Sequence, residues 1–413
     1  MVRADYRLRS VAADDERLEA YARLVVEVGL NLQPGQLLAI SARLEHAPLA
    51  RAVARAAYAA QARYVDVLYA DPQVQRALIE HAADGDLGYS PPWLVSRFRS
   101  LGAEHGALLK ITGDAEPEAF AGLDGGRVGR ARMHAVDEAS LALTDGVSNW
   151  TIAGYPNEGW ARTIFGEPDV ERLWEAVATC VRLDEPDPAA AWAAHIATLE
   201  QRAATLDERR FDRLRYRGPG TDLTVGLHPE THWLTALDTS AGIRHIANLP
   251  TEEVFTTPDA RRTEGTVRST LPLYVQGTAV HDLVLRFEAG RVVQIGASAG
   301  EDVIRAHIGT DDGAGRLGEV ALVDRHSRVG TTGLTFHETL FDENASSHLA
   351  IGISSLEGVV GAAALSPEER HARGINHSSI HTDFMIGSPE LEVDAVTASG
   401  ETVPLLRHGD WQL

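Results

Sequence analysis

Histidines and carboxylates crowd the second half of this chain in settings that suit metal or acid–base chemistry. In NHSSIHTDFMIG (376–387), His381 and Asp383 stand two apart, so on a strand both project to one face and can reach a common centre. Imidazole and carboxylate suit Zn, Co or Mn, and burying Asp383 in so apolar a segment without a cation would be costly. In PTEEVFTTP (250–258), Glu252 and Glu253 are adjacent. An extended backbone sends such neighbours to opposite sides, which fits two separate tasks, one metal ligand and one acid/base group. In FHETLFDENASSHLA (336–350), His348 follows a small polar stretch and precedes an apolar one. His337-Glu338 opens like H-E-x-x-H, but no histidine stands at the required offset, so that zinc motif is absent. Glu319 opens the apolar run of GRLGEVALVD (315–324).

Each signal also has an ordinary reading. Most glutamates are solvated, H-x-D is a common tripeptide, and His348 or Glu319 suits a surface as well as a ligand set. A competing chemistry is offered by GASAG (296–300), which matches G-x-S-x-G with Ser298 as nucleophile of a serine hydrolase. The strand before it belongs to an apparent antiparallel hairpin, and small residues ahead of Glu301-Asp302 read more simply as a helix cap.

The elements that must position these groups fall into two sets. In the first half, apolar runs at 37–42, 64–70 and 107–112 read as strands, and the periodicity of 46–62, 73–82 and 92–104 predicts helices between them. That βαβαβ rhythm implies a mainly parallel sheet flanked by helices, and no G-x-G-x-x-G follows its first strand to support a nucleotide role. Two further helices are expected at 170–181 and 189–206. The second half changes to short β-branched runs at 221–227, 271–275, 283–288 and 291–295, the last two joined by Ala289-Gly290 as a hairpin. The expected architecture is an α/β N-terminal domain, 1–207, and a mostly antiparallel α+β C-terminal domain, 208–413, carrying the metal site.

A chain of 413 residues exceeds what one core usually serves. Its composition, 44% hydrophobic and 23% charged, is that of a globular protein. The net charge of −21 argues against nucleic acid or an anionic membrane as partner, since both reward clustered Lys and Arg. No window approaches a membrane span, and the first thirty or so residues lack the apolar block of a signal peptide. With Cys180 alone, no intrachain disulfide can form, which agrees with a cytoplasmic location.

PTEEVFTTP, LGEVALV, HETLFDENASSHLA and NHSSIHTDFMIG, in this order and at these intervals, resemble the aminopeptidase T and aminopeptidase S family of dinuclear metalloaminopeptidases, and WTIAGYPNEGWA (150–161) extends the likeness to the first half. Carried over motif by motif, the resemblance implies that Glu253, Glu319, His348, His381 and Asp383 hold two divalent ions per subunit, whether Zn, Co, Mn or Mg. It also implies a homodimer acting on small peptides at an active site that faces a large internal cavity. Glu252 is then expected to be the general base that takes a proton from the attacking water and returns it to the leaving amine, by analogy with other dinuclear aminopeptidases. One departure concerns position 355, a serine where the family carries tyrosine, so a phenolic donor to a developing oxyanion is not supplied there. A homologue that keeps the fold and metals but only binds peptides is the alternative attached to that change.

Overall fold

A computed structural model describes residues 16–144, 146–275 and 278–413. The opening residues read for a targeting signal lie partly outside the described ones. Apolar runs of the first half, bounded by turn formers, become strands Leu37–Arg43, Tyr64–Ala70 and Ala107–Thr112, with helices Ala47–Ala59, Pro72–His81 and Pro92–Ala103 between them. All pair in parallel: Leu37 stands opposite Tyr64 and Leu38 opposite Ala107. Leu38, Ala39 and Ile40 are consecutive and all buried, as a strand covered on both faces requires.

Two strands of this sheet escape the sequence reading. Trp150–Gly154 pairs parallel to Ala107–Thr112, and Asn248–Leu249 adds a fifth strand beside it, giving the order second, first, third, fourth, fifth. The fifth strand explains why a single cut at 207/208 does not match the packing. The chain divides into two compact units, one reaching Ala193 and regaining Leu237–Pro250, the other made of Ala194–Ala236 and Thr251–Leu413. The division falls inside helix Pro188–Arg209, whose 22 residues span about 33 Å and outlast one packing environment.

The second unit holds an eight-stranded antiparallel sheet and, apart from it, a four-stranded antiparallel sheet of Glu253–Thr256, Leu317–Val323, His348–Gly352 and His381–Met385, in that order. The predicted hairpin joins Val284–Glu288 to Arg291–Gly296, and its Ala289 and Gly290 both adopt positive φ, 47° and 76°, the conformation of a two-residue turn of the I′ type. One face of the four-stranded sheet is mainly apolar: Val254, Val320, Leu322, Leu349, Ile351 and Phe384 are each at most 1% exposed. At about 1.5–3 kcal/mol for each large side chain, this face anchors the sheet and leaves the other free for polar groups.

Candidate metal centre

Strand register sorts the polar groups onto that other face. Glu253 stands opposite Val323, Ala321 opposite His348, and His348 opposite Met385. Glu319 stands opposite Ala350, Ala350 opposite Asp383, and Gly352 opposite His381. Because side chains alternate along a strand, Glu253, Glu319, His348, His381 and Asp383 therefore share one side. Ala321, Ala350 and Gly352 lie between them on the same side, and their small size leaves room for a ligand.

The five expected ligands are brought together as two overlapping groups, Glu253, Glu319 and His348, and Glu319, His381 and Asp383, the potential ligand atoms of each lying within 4.8 Å of one another. His348 Nε2 lies 3.1 Å from Glu253 Oε2 and 3.5 Å from Glu319 Oε1, while His381 Nε2 lies 3.3 Å from Asp383 Oδ1 and 3.9 Å from Glu319 Oε2. Glu319 belongs to both groups and turns one oxygen to each histidine. The far ring nitrogens are already engaged: His348 Nδ1 donates to the Ser346 carbonyl at 3.3 Å and His381 Nδ1 to the Ile353 carbonyl at 3.0 Å. Such bonds to carbonyls orient the rings and leave Nε2 as the ligand atom.

Electrostatics make the same point. Burial would lower both histidines, yet Glu253 holds His348 well above its ordinary range and Asp383 with Glu319 lifts His381 to about 10. Burial raises Glu253, whereas for Asp383 it is outweighed by His381 and His348, which keep that carboxyl below its usual range. A further carboxylate, Glu343, is pushed well above the ordinary value by burial and by Asp383 and Glu253. Four carboxylates against two imidazoles in a buried space carry surplus negative charge, which protons or cations must balance. This donor set fits divalent cations.

Glu343 was not singled out in the sequence. It sits five residues before His348 on helix Thr339–Ala345, and a lone helical glutamate gives no periodic signal. Glu252, the expected base, is 5% exposed and lies outside both groups, its backbone N–H donating to Asn344 Oδ1 at 2.7 Å. Ser355 lies in the loop after the His348 strand, where its carbonyl accepts the Thr257 hydroxyl at 2.6 Å. Ser298 does precede a helix, Glu301–Ile308, but its hydroxyl donates to Asp282 Oδ2 at 2.6 Å, and that carboxylate is ion-paired to Arg268. Its partner is thus an acid rather than the imidazole base a serine nucleophile needs. A third acidic group, Asp324, His326 and Asp410, already faces arginine: Arg202 lies 2.7 Å from Asp324 and Arg325 2.5 Å from Asp410.

The segment carrying His381 and Asp383 is held from outside the sheet. Asp311 accepts from the Gly313, Ala314 and Ser379 amides and from the Ser378 and Ser379 hydroxyls, at 2.8 to 3.0 Å. Burial alone would raise this carboxyl, but the Ser379 amide and hydroxyl, then Ser378 and Gly313, bring it down to about 2. Asn376 Nδ2 donates to the carbonyls of Gly313 and Gly352, joining the same turn to the His348 strand.

A cluster of carboxylates and imidazoles, buried at Glu253 and His348 and opening to solvent at His381, on an antiparallel sheet is the equipment of a metal-dependent protein. A family model described as thermophilic metalloprotease (M29) matches residues 14–411, and the chain belongs to that family. Aminopeptidase T of Thermus aquaticus is 42% identical over 404 residues, covering 96% of this chain and 98% of the relative. Aminopeptidase 2 of Geobacillus stearothermophilus is 37% identical over 405 residues, covering 96% and 98%. The solved structure of wild-type AmpT from Thermus thermophilus superposes with a TM-score of 0.89 at 40% identity, covering 96% of this chain and 99% of that one. A dihydroxypyridine dioxygenase from Pseudomonas putida, at 11% identity and a TM-score of 0.51, shares the fold alone.

Proposed function

We propose that this face of the four-stranded sheet binds two divalent metal ions, one held by Glu253, Glu319 and His348, the other by Glu319, His381 and Asp383. The chain is a metal-dependent aminopeptidase, a reading that its family and relatives named aminopeptidase T and aminopeptidase 2 support. The observation that carries the two-ion proposal is Glu319, whose two oxygens face different histidines, as a bridging carboxylate's would. When bound, a pair of such ions lowers the pKa of a water and polarises the scissile carbonyl.

The chain's own groups supply the rest. Glu252 takes the water proton on a carboxylate oxygen and returns it to the leaving amine. A carboxylate beside the clusters receives the substrate's α-ammonium and so confines cleavage to the first peptide bond. The ions are drawn from Zn, Co, Mn and Mg, which this donor set accepts according to availability. The protein acts as a cytoplasmic homodimer on small peptides, a reading supported by the sequence resemblance and by the single cysteine.

Hydrolysis of di- and tripeptides by metal-stripped protein re-supplied with each ion in turn tests the proposal, with products read for release of the N-terminal residue. Activity that survives stripping would overturn it, and two bound ions with no release of any amino acid would mark a binding protein instead. Glu252→Gln is expected to bind both ions and lose about 10²–10⁴ in kcat. Near-wild-type turnover in that variant would remove Glu252 from the mechanism.

A further inference from the structure

The adjacent glutamates raise a problem that the sheet by itself does not solve. Glu253 opens strand Glu253–Thr256 and takes its direction from the register, but Glu252 lies before the strand begins, where no ladder bond orients the backbone. Two side chains from distant segments of the second unit fill that role. His195, on helix Pro188–Arg209, lies with Nε2 2.9 Å from the Thr251 carbonyl oxygen. Asn344, on helix Thr339–Ala345, accepts the Glu252 N–H on Oδ1 at 2.7 Å. That carbonyl and that N–H belong to one peptide group, so both polar ends of the Thr251–Glu252 peptide are gripped.

The hardware of the grip is itself fixed. Asn344 Nδ2 donates to the Leu340 carbonyl at 2.8 Å, which sets its amide so that oxygen faces Glu252. A carbonyl can only accept, so His195 must carry its hydrogen on Nε2, and the same nitrogen stands 3.5 Å from Glu252 Oε2. Thr251 and Asn344 are fully buried and Glu252 is 5% exposed, while the His195 side chain is 16% exposed, so the gripped peptide itself is shielded from water. We infer that His195 is a positioning residue: together with Asn344 it clamps the Thr251–Glu252 peptide and thereby aims Glu252 and Glu253 at their separate tasks. The inference rests on the roles proposed above for those two glutamates.

His195→Leu removes the donor, whereas His195→Gln places an amide N–H near the position of Nε2. Loss of an outer support of this kind costs about 10–100-fold. For His195→Leu we expect that loss in kcat with KM changed less than two-fold, and about ten-fold weaker binding of cobalt to the stripped protein by calorimetry. His195→Gln should restore both to within about three-fold of wild type, following the same range. Wild-type kcat and cobalt affinity in His195→Leu would overturn the inference, as would failure of glutamine to rescue. Should the leucine variant not fold, ¹⁵N-histidine spectra of the wild type decide: His195 must be the Nε2–H tautomer, and an Nδ1–H tautomer overturns the clamp. An active Glu252→Gln would sink the base assignment while leaving the cobalt and tautomer results standing. An inactive Glu252→Gln beside a fully active His195→Leu would sink the clamp alone.

Discussion

Glu319 is the residue on which both candidate ligand groups converge, and its loss should separate a shared ligand from a peripheral one. Glu319→Gln keeps the size of the side chain but halves its acceptor character, leaving His348 and His381 each short of a carboxylate oxygen. Metal analysis of the purified variant is expected to give at most one ion per subunit, with kcat/KM reduced at least about 10³-fold because an interaction made in the transition state is removed. Retention of two ions would mean that Glu319 is not a bridge. At this scale the sequence was legible where candidate ligands sit two apart on a strand, as in His381-Thr-Asp383, whose side chains do lie together. It was silent about Glu343 and His195, which reach the site from helices whose place is set only by packing.

The elements hold these residues through a few close approaches. Gly352 stands opposite His381 with φ +107°, and a Cβ there would lie 2.0 Å from the Ile380 carbonyl oxygen. Gly352→Ala should therefore destabilise the protein by about 1–3 kcal/mol, measured by denaturant unfolding, and stability equal to wild type would show that the strand end can relax. Asp311 holds the neighbouring Ser378–Ser379 turn by three donors and its own turn by the Gly313 and Ala314 amides, and its carboxyl falls from the usual 3.8 to about 2. The sign follows from that depression: this contribution to stability is present in full above about pH 4 and is lost as pH falls through about 2. Asp311→Asn should cost about 1–2 kcal/mol near neutrality and remove that acid-sensitive component from a plot of Tm against pH. An identical acid limb in the variant would assign the limb to other carboxylates. Neither device was readable beforehand, since a lone aspartate in a Gly- and Asp-rich turn names no partner.

For the whole molecule, gathering Glu253, Glu319, Asp383 and Glu343 in one buried place works against folding unless cations balance them. Bound ions should then stabilise the fold, by about 2.7 kcal/mol per site at a hundred times the dissociation constant. Chelation is expected to lower Tm and re-supplied metal to restore it, whereas a Tm indifferent to metal would argue that no ion binds the native state alone. By itself the sequence determined the alternation of strands and helices in the first half, the short strands of the second, the pairing of His381 with Asp383 and the order of the motifs, because these depend on periodicity and local turn chemistry. Only the tertiary structure decided that Trp150–Gly154 and Asn248–Leu249 complete the parallel sheet, that the division between units falls within one helix, and that four strands present Glu253, Glu319, His348, His381 and Asp383 on one face. The physical reason is that strand register and the docking of distant helices arise from burial across the whole unit, and no local stretch of chain encodes which remote segment will cover it.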